Sequence, residues 1–219
     1  MKITEPNVAN AVVANGTHFG TAALVFYVYA VLGLILLHFL RPDYAPASHM
    51  ISEYAIGPYG WVMRTVFIAL SCASMMLFVG LLLRGPNSFL SRLGATLLGI
   101  ASIGLLVSAI YSMDAPGAPS TSSGDIHDIS FFVNVGSAFV TSVLLSASFG
   151  RDIRWRSYQR TSIVLTALLV VAFVLQFLTL HKGMPFGLAN RFFVVVALSW
   201  SITVSYRLRT LGRRQETIS

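Results

Sequence analysis

Cysteine is nearly absent: Cys72 stands alone inside an apolar run, which excludes a disulfide framework and any zinc motif built from paired cysteines. Charge is scarce as well. Charged residues make up 11% of the 219 against 55% hydrophobic ones, whereas soluble domains carry about a quarter charged residues, so water is not the main solvent of this chain. No polar stretch is long enough for a separate soluble domain. Proline never interrupts an apolar run at its middle; the broken helices of many secondary transporters are not evident, nor is an inverted repeat of three plus three spans. A Gly-rich phosphate loop, a His-Glu-x-x-His pair and a Gly-x-Ser-x-Gly elbow are all missing, which leaves those enzyme classes without support.

What is there is a set of six apolar segments, roughly 19–40, 61–83, 93–113, 127–149, 161–180 and 188–207. Each is near the ~20 residues needed to cross a hydrocarbon core of about 30 Å. Eleven of the fifteen Lys and Arg fall at Lys2, at Arg84 and Arg92, at Arg151, Arg154, Arg156 and Arg160, and at Arg207, Arg209, Arg213 and Arg214. Six spans put all of these on one side, which the positive-inside tendency makes the cytoplasm. The expected fold is therefore all-α, a six-helix transmembrane bundle with N-terminus and C-terminus both cytoplasmic. Its parts are a cytoplasmic N-terminal segment at 1–18, a six-span membrane domain at 19–208 and a basic cytoplasmic tail at 209–219. Met1 to Thr17 has no apolar core and does not read as a cleavable signal peptide. The net charge of +7 is then a topology signal and a contact for anionic lipid; a nucleic-acid partner is not expected, and the lipid bilayer is.

Small side chains four residues apart in the third span (Ala95/Gly99, Gly104/Ser108) and the fourth (Ser137/Thr141, Ser142/Ser146) let helix backbones approach closely, which places these spans inside the bundle. Tyr44, Tyr54, Tyr59 and Trp61 on the outer side and Trp155 and Tyr158 on the inner read as interfacial anchors.

The polar residues are asymmetric. Asp43, Glu53, Asp114, Asp125 and Asp128 fall on the outer side together with His38, His49, His127 and His181, although acidic residues contribute little to orientation. An outer-facing polar site explains this. Asn134 and Gln176 lie in the outer parts of the fourth and fifth spans, where an amide without partners costs several kcal/mol, so both are expected to face protein or a wet cavity as ligand-binding candidates. In the first outer loop a short interfacial helix would set His49 and Glu53 on one face, able to ligate a metal, to share a proton or simply to pair locally. The loop from Asp114 to His127 can fold back to bring its two ends together, an imidazole oriented by a carboxylate; helix capping is the plainer account of the neighbouring Asp125 and Asp128. His127, Asp114 and Glu53 are thus the catalytic candidates, and His49, Glu53, Asp114 and His127 the candidate ligands of a divalent metal such as zinc. Arg191 opens the sixth span, where the helix dipole disfavours a cation; pairing with an outer carboxylate, binding an anionic headgroup and snorkelling all remain open for it. His38 reads as an interfacial residue.

Arg41-Pro-Asp-Tyr44, Ile51-Ser-Glu-Tyr-Ala-Ile-Gly-Pro-Tyr-Gly-Trp61, Asp114-Ala-Pro-Gly117, Gly124-x-x-His127 and Gly187-Leu-x-x-Arg191 together resemble the prokaryotic membrane family known as domain of unknown function 998, over about 20 to 208. The resemblance implies a six-span bundle in a prokaryotic cytoplasmic (inner) membrane and brings no activity with it.

Three functional readings follow. The first is an accessory or sensor membrane protein working with a membrane-protein partner, its polar groups fixing loop geometry. The second is a membrane-embedded, metal-dependent hydrolase or transferase acting on a lipid-like substrate at the outer leaflet. The third, a small-solute transporter, needs a polar path through the cytoplasmic half, where the sequence offers little beyond Ser and Thr. The topology has its own test: a reporter that fluoresces only in the cytoplasm will be bright at either terminus, and a phosphatase active only outside will be active after Ala118. The reverse pattern would overturn the orientation.

Overall fold

A computed structural model describes the backbone of residues 8–179 and 184–216 and the side chains of 17–179 and 184–211. His181 and Lys182 lie outside the described residues, as does Lys2. Among the described residues six α-helices run α1 Val8–Leu40, α2 Gly60–Arg84, α3 Phe89–Ile110, α4 Ser122–Phe149, α5 Arg156–Leu178 and α6 Phe186–Glu216, with one 3-10 turn at Ile51–Ala55. All six are long and apolar enough to cross a membrane. The protein is a multi-pass membrane bundle.

Local sequence sets the helix ends. Ser88 opens α3 by accepting a hydrogen bond from the Ser91 amide, and Thr121 opens α4 by accepting one from Gly124, each satisfying an orphan donor of the first turn. The Thr121 cap starts α4 five residues before the apolar run, because Ser122, Ser123, Gly124 and Asp125 are held by the cap and not by hydrophobicity.

Each helix packs on its chain neighbours and α6 closes the ring against α1. Large apolar side chains such as Leu32, Phe39, Ile103 and Ile129 point outward, while Ala23, Ala30, Ala73, Ala95 and Ala172 are buried. Lipid is as apolar as leucine, so close backbone approach decides which face turns inward. At the α3–α4 seam Thr141 donates to the Gly94 carbonyl at 2.9 Å and the Ser108 and Ser130 hydroxyls meet at 2.7 Å. A Cβ on Gly104 would sit 2.8 Å from the Ser130 carbonyl oxygen. Gly99, by contrast, faces the Phe78 ring of α2.

The arginine-rich end is sealed. Phe149, Trp155, Leu77, Leu81 and Leu208 form one buried apolar cluster, Trp155 stacking on Phe149 at 4.7 Å and donating its indole N–H to the Arg84 carbonyl at 3.1 Å. Trp155 is 0% exposed, so the expectation that it anchors at the interface is corrected: its N–H has a buried carbonyl to satisfy and its ring fills the core. Arg154 reaches the Gly85 carbonyl, Arg84 the Leu211 carbonyl and Arg207 the Arg154 carbonyl. Arginines that set a charge bias in the sequence also close the helix ends.

Replacing Gly104 with Val should force α3 and α4 apart and cost about 1–3 kcal/mol by overpacking. Gly136, whose added Cβ would meet nothing within 4 Å, tolerates Ala and gains up to about 1 kcal/mol of helix propensity. Thermal unfolding in detergent compares the two.

Candidate functional site

The other end carries a cap made from the loop between α1 and α2. Two arginines shape it. Arg41, following α1, grips both oxygens of Asp43 and donates to the carbonyls of Ile56 at 2.6 Å and Pro58 at 3.1 Å, so the loop folds back to the start of α2. Gly57 at φ 72° and Tyr59 at φ 62° supply the left-handed turns that this reversal needs. Tyr44 lies over the Arg41 guanidinium at 3.9 Å and against the His49 ring.

Arg191, one turn into α6, ties the cap to the bundle. Its Nε donates to His38 Nε2 at 3.0 Å, Nη1 reaches the carbonyls of Pro46, His49 and Gly187 at 2.8, 2.6 and 3.1 Å, and Nη2 donates to the Tyr54 hydroxyl at 3.1 Å. No carboxylate is among these partners. Gly187 makes the contact feasible: its N–H donates to Ala47, and a Cβ there would lie 2.5 Å from the Pro46 oxygen. Two expectations change. Tyr54 is 0% exposed and is the floor of the cap instead of an interfacial anchor. His38 is a hydrogen-bond acceptor for Arg191 while its Nδ1 donates to the Leu34 carbonyl at 2.7 Å, which fixes the neutral Nδ1–H tautomer.

His49 and Glu53 do meet, at 2.6 Å. They do so across the start of the 3-10 turn, not along an α-helical face. The second Glu53 oxygen accepts the Met50 N–H at 2.7 Å, so the carboxylate closes the turn from within. Asn190, which sequence reasoning passed over, accepts the Ile51 N–H at 3.0 Å. Its signal was a polar residue beside Arg191 in an apolar helix.

Asp114 and His127 are not hydrogen-bonded to each other. Asp114 accepts the Thr121 hydroxyl at 2.7 Å and the Thr121 N–H at 2.9 Å, and its carboxylate lies where a side chain on Gly124 would start, 2.0 Å from that position. The Thr121 donors hold its pKa below the ordinary carboxylate value. Arg41 does the same for Asp43. His127, buried, donates Nδ1–H to the Tyr111 carbonyl at 2.8 Å. The expected carboxylate-oriented imidazole is therefore a carbonyl-oriented one, because Thr121 reaches the acid first.

Beneath the cap lies a chain of three cavities. The middle one, about 100 Å³, is walled by Phe67, Leu105 and Phe193 and carries His127, Asn134 and Asn190. A recess of about 190 Å³ shares Ser52, His127 and Phe131 with it and reaches Gln176 and Phe132. A deeper one of about 120 Å³ shares Asn134 and continues to Tyr27, Ser74 and Ser201. They share lining residues but are separate spaces of about 100–190 Å³, each below the ~300 Å³ of a drug-sized ligand pocket. Gln176 is 6% exposed and its Oε1 has no hydrogen-bond partner among the described residues. His127 Nε2 makes no hydrogen bond there either. Apart from Asp128 at the recess, the described lining bears no charge.

A metal fits these residues poorly. Among the described residues no three His, Cys, Asp or Glu converge, and both oxygens of Glu53 and of Asp114 are engaged by protein donors.

The fold and site define a six-helix membrane bundle with a loop cap stapled over a hydrogen-bonding interior whose one charged lining residue among those described is Asp128. Residues 21–207 match the family described as Protein of unknown function (DUF998), and the chain belongs to that family. Nothing among curated proteins or solved structures matches it.

Both acids are depressed, so each contributes stability at pH values above its unfolded pKa of about 3.9 that is lost as pH falls through the lower folded value. The wild type should lose melting temperature as pH falls below about 4 through the lower folded values, and Asp114→Asn should lose less on the same descent. Arg191→Lys keeps the charge but not the planar fork, and should cost about 2–4 kcal/mol through unmet carbonyls.

Proposed function

We propose that this is a non-catalytic accessory or sensor protein of a prokaryotic cytoplasmic membrane, with its cap on the outer side and its ligand an apolar, membrane-soluble molecule bearing one neutral hydrogen-bonding group. The observation that carries this reading is the division of labour among polar residues. Arg41, Asp43, Glu53, His49, Asp114 and Arg191 all spend their hydrogen bonds on the protein itself. What is left open inside the cavities is Gln176 Oε1 and His127 Nε2, with the Asn134 amide beside His127, while the exposed Asp128 carboxylate stands at the recess. A buried amide oxygen with no partner is costly, and such groups persist where a ligand completes them. A sensor of this kind reports through a second membrane protein. The apolar seal at the arginine-rich end gives a transport path no support.

One observation favours the catalytic alternative. His127 presents an unbonded Nε2 to a cavity also lined by Ser52, a base and a hydroxyl within one space, fit for a lipid-like ester.

The test is thermal unfolding of purified protein with n-decanol, n-decane or decanoate, for wild type and Gln176→Leu. The alcohol should stabilise wild type while the alkane and the carboxylate do not, and Gln176→Leu should abolish that difference while raising ligand-free stability by about 1–2 kcal/mol. If Gln176→Leu is destabilised and the three probes act alike, the ligand reading fails. A stoichiometric metal lost in His127→Ala, or ester hydrolysis lost in it, would hand the site to the enzyme reading.

A further inference from the structure

A second site lies between α1 and α6, sharing Leu34, Ile51 and Val194 with the middle cavity as a common wall. At the arginine-rich end these helices touch backbone to backbone: a Cβ on Gly20 would be 2.6 Å from the Arg209 nitrogen. Toward the cap they leave a groove of about 420 Å³. Its lips are lipid-exposed, Ile35 at 51% and Val195 at 60%. Its walls are aliphatic, and the polar groups it meets are Ser199, whose hydroxyl is spent on the Val195 carbonyl, and the Arg191–His38 pair at its head. Arg191 makes all its bonds to neutral acceptors and pairs with no carboxylate among the described residues, so its positive charge is not cancelled at contact. Nη2 spends one N–H on Tyr54, and a guanidinium nitrogen of this type has two.

We propose that this groove holds one anionic phospholipid of the cap-side leaflet, its phosphate against Arg191 and one acyl chain along α1 and α6. Length, polarity and charge agree. From Arg191 to Ile202 the groove follows eleven residues of α6, about 16 Å at 1.5 Å per residue, and one leaflet of hydrocarbon is about 15 Å deep. An aliphatic channel with a cation at its interfacial mouth fits an acyl chain ending in a phosphate, and a zwitterionic headgroup would bring its own cation to the same place. Because Arg191 also staples the cap, the bound lipid completes the cap from the bilayer side.

The experiment uses full-length protein stripped of lipid in neutral detergent. Dioleoyl phosphatidylglycerol, dioleoyl phosphatidylcholine and glycerol 3-phosphate are each added, and retention is read by native mass spectrometry alongside melting temperature. Phosphatidylglycerol should bind at least about tenfold more tightly than phosphatidylcholine, the worth of one charge-assisted contact, and glycerol 3-phosphate should not bind. Ser199→Trp fills the groove two turns from Arg191; it should melt as wild type without lipid and lose phosphatidylglycerol. Arg191→Lys should retain the lipid more weakly. Equal retention of the two lipids, retention of phosphatidylglycerol by groove-filled protein, or binding of neither lipid would overturn the proposal. Gln176→Leu, which lies outside the groove, should bind phosphatidylglycerol normally, so this result stands apart from the fate of the cavity.

Discussion

The cap depends on one guanidinium. Loop backbone near a membrane has carbonyls that neither helix nor sheet can satisfy, and each one left unmet in a water-poor setting is expensive. Arg191 answers two of them, at Pro46 and His49, and takes in the Gly187 carbonyl of its own helix, His38 of α1 and Tyr54 of the 3-10 turn as well. Only arginine projects so many donors in a fixed plane. The Tyr54 hydroxyl, the neutral tautomer of His38 and the missing side chain at Gly187 follow from that fork, and Arg41 repeats the device at the other foot of the loop.

The bundle was legible in the sequence because lipid imposes one solution on the backbone: apolar runs of spanning length must be helices. The motifs were legible as motifs but not as roles. Gly124-x-x-His127 and Gly187-Leu-x-x-Arg191 look alike, a glycine and a polar residue one turn later. The glycine lets another chain segment lie against the helix start, Asp114 in one case and the Pro46 carbonyl in the other. Spacing shows that the polar residue follows by a turn; it does not show whether its partner is a side chain or a backbone oxygen. That is why Asp114 looked like a partner of His127, and why Trp155, with an indole N–H wanted by a buried carbonyl, looked like an anchor.

Depth in the spans was a better guide than charge. Asn134 and Gln176 stand out because an amide in hydrocarbon demands a reason, and both line the interior cavities. Asn190 belongs with them, hidden by the more conspicuous Arg191 beside it.

The polar asymmetry of the chain therefore has two separable causes. Acids and histidines sit at the cap end because a long loop has to be held over a membrane bundle, and charged hydrogen bonds hold it more firmly than neutral ones. Neutral polar groups sit just below because the interior there is incompletely packed and incompletely bonded, unlike the apolar seal at the opposite end. If cap geometry were the whole purpose, evolution of a tight apolar interior beneath it would add stability at no loss, since filling a void and removing an unpaired amide both stabilise. A stretch of protein that keeps both a void and an unpaired amide side by side, under a lid held by charged hydrogen bonds from Arg41, Glu53 and Arg191, has the physical signature of a place reserved for something else.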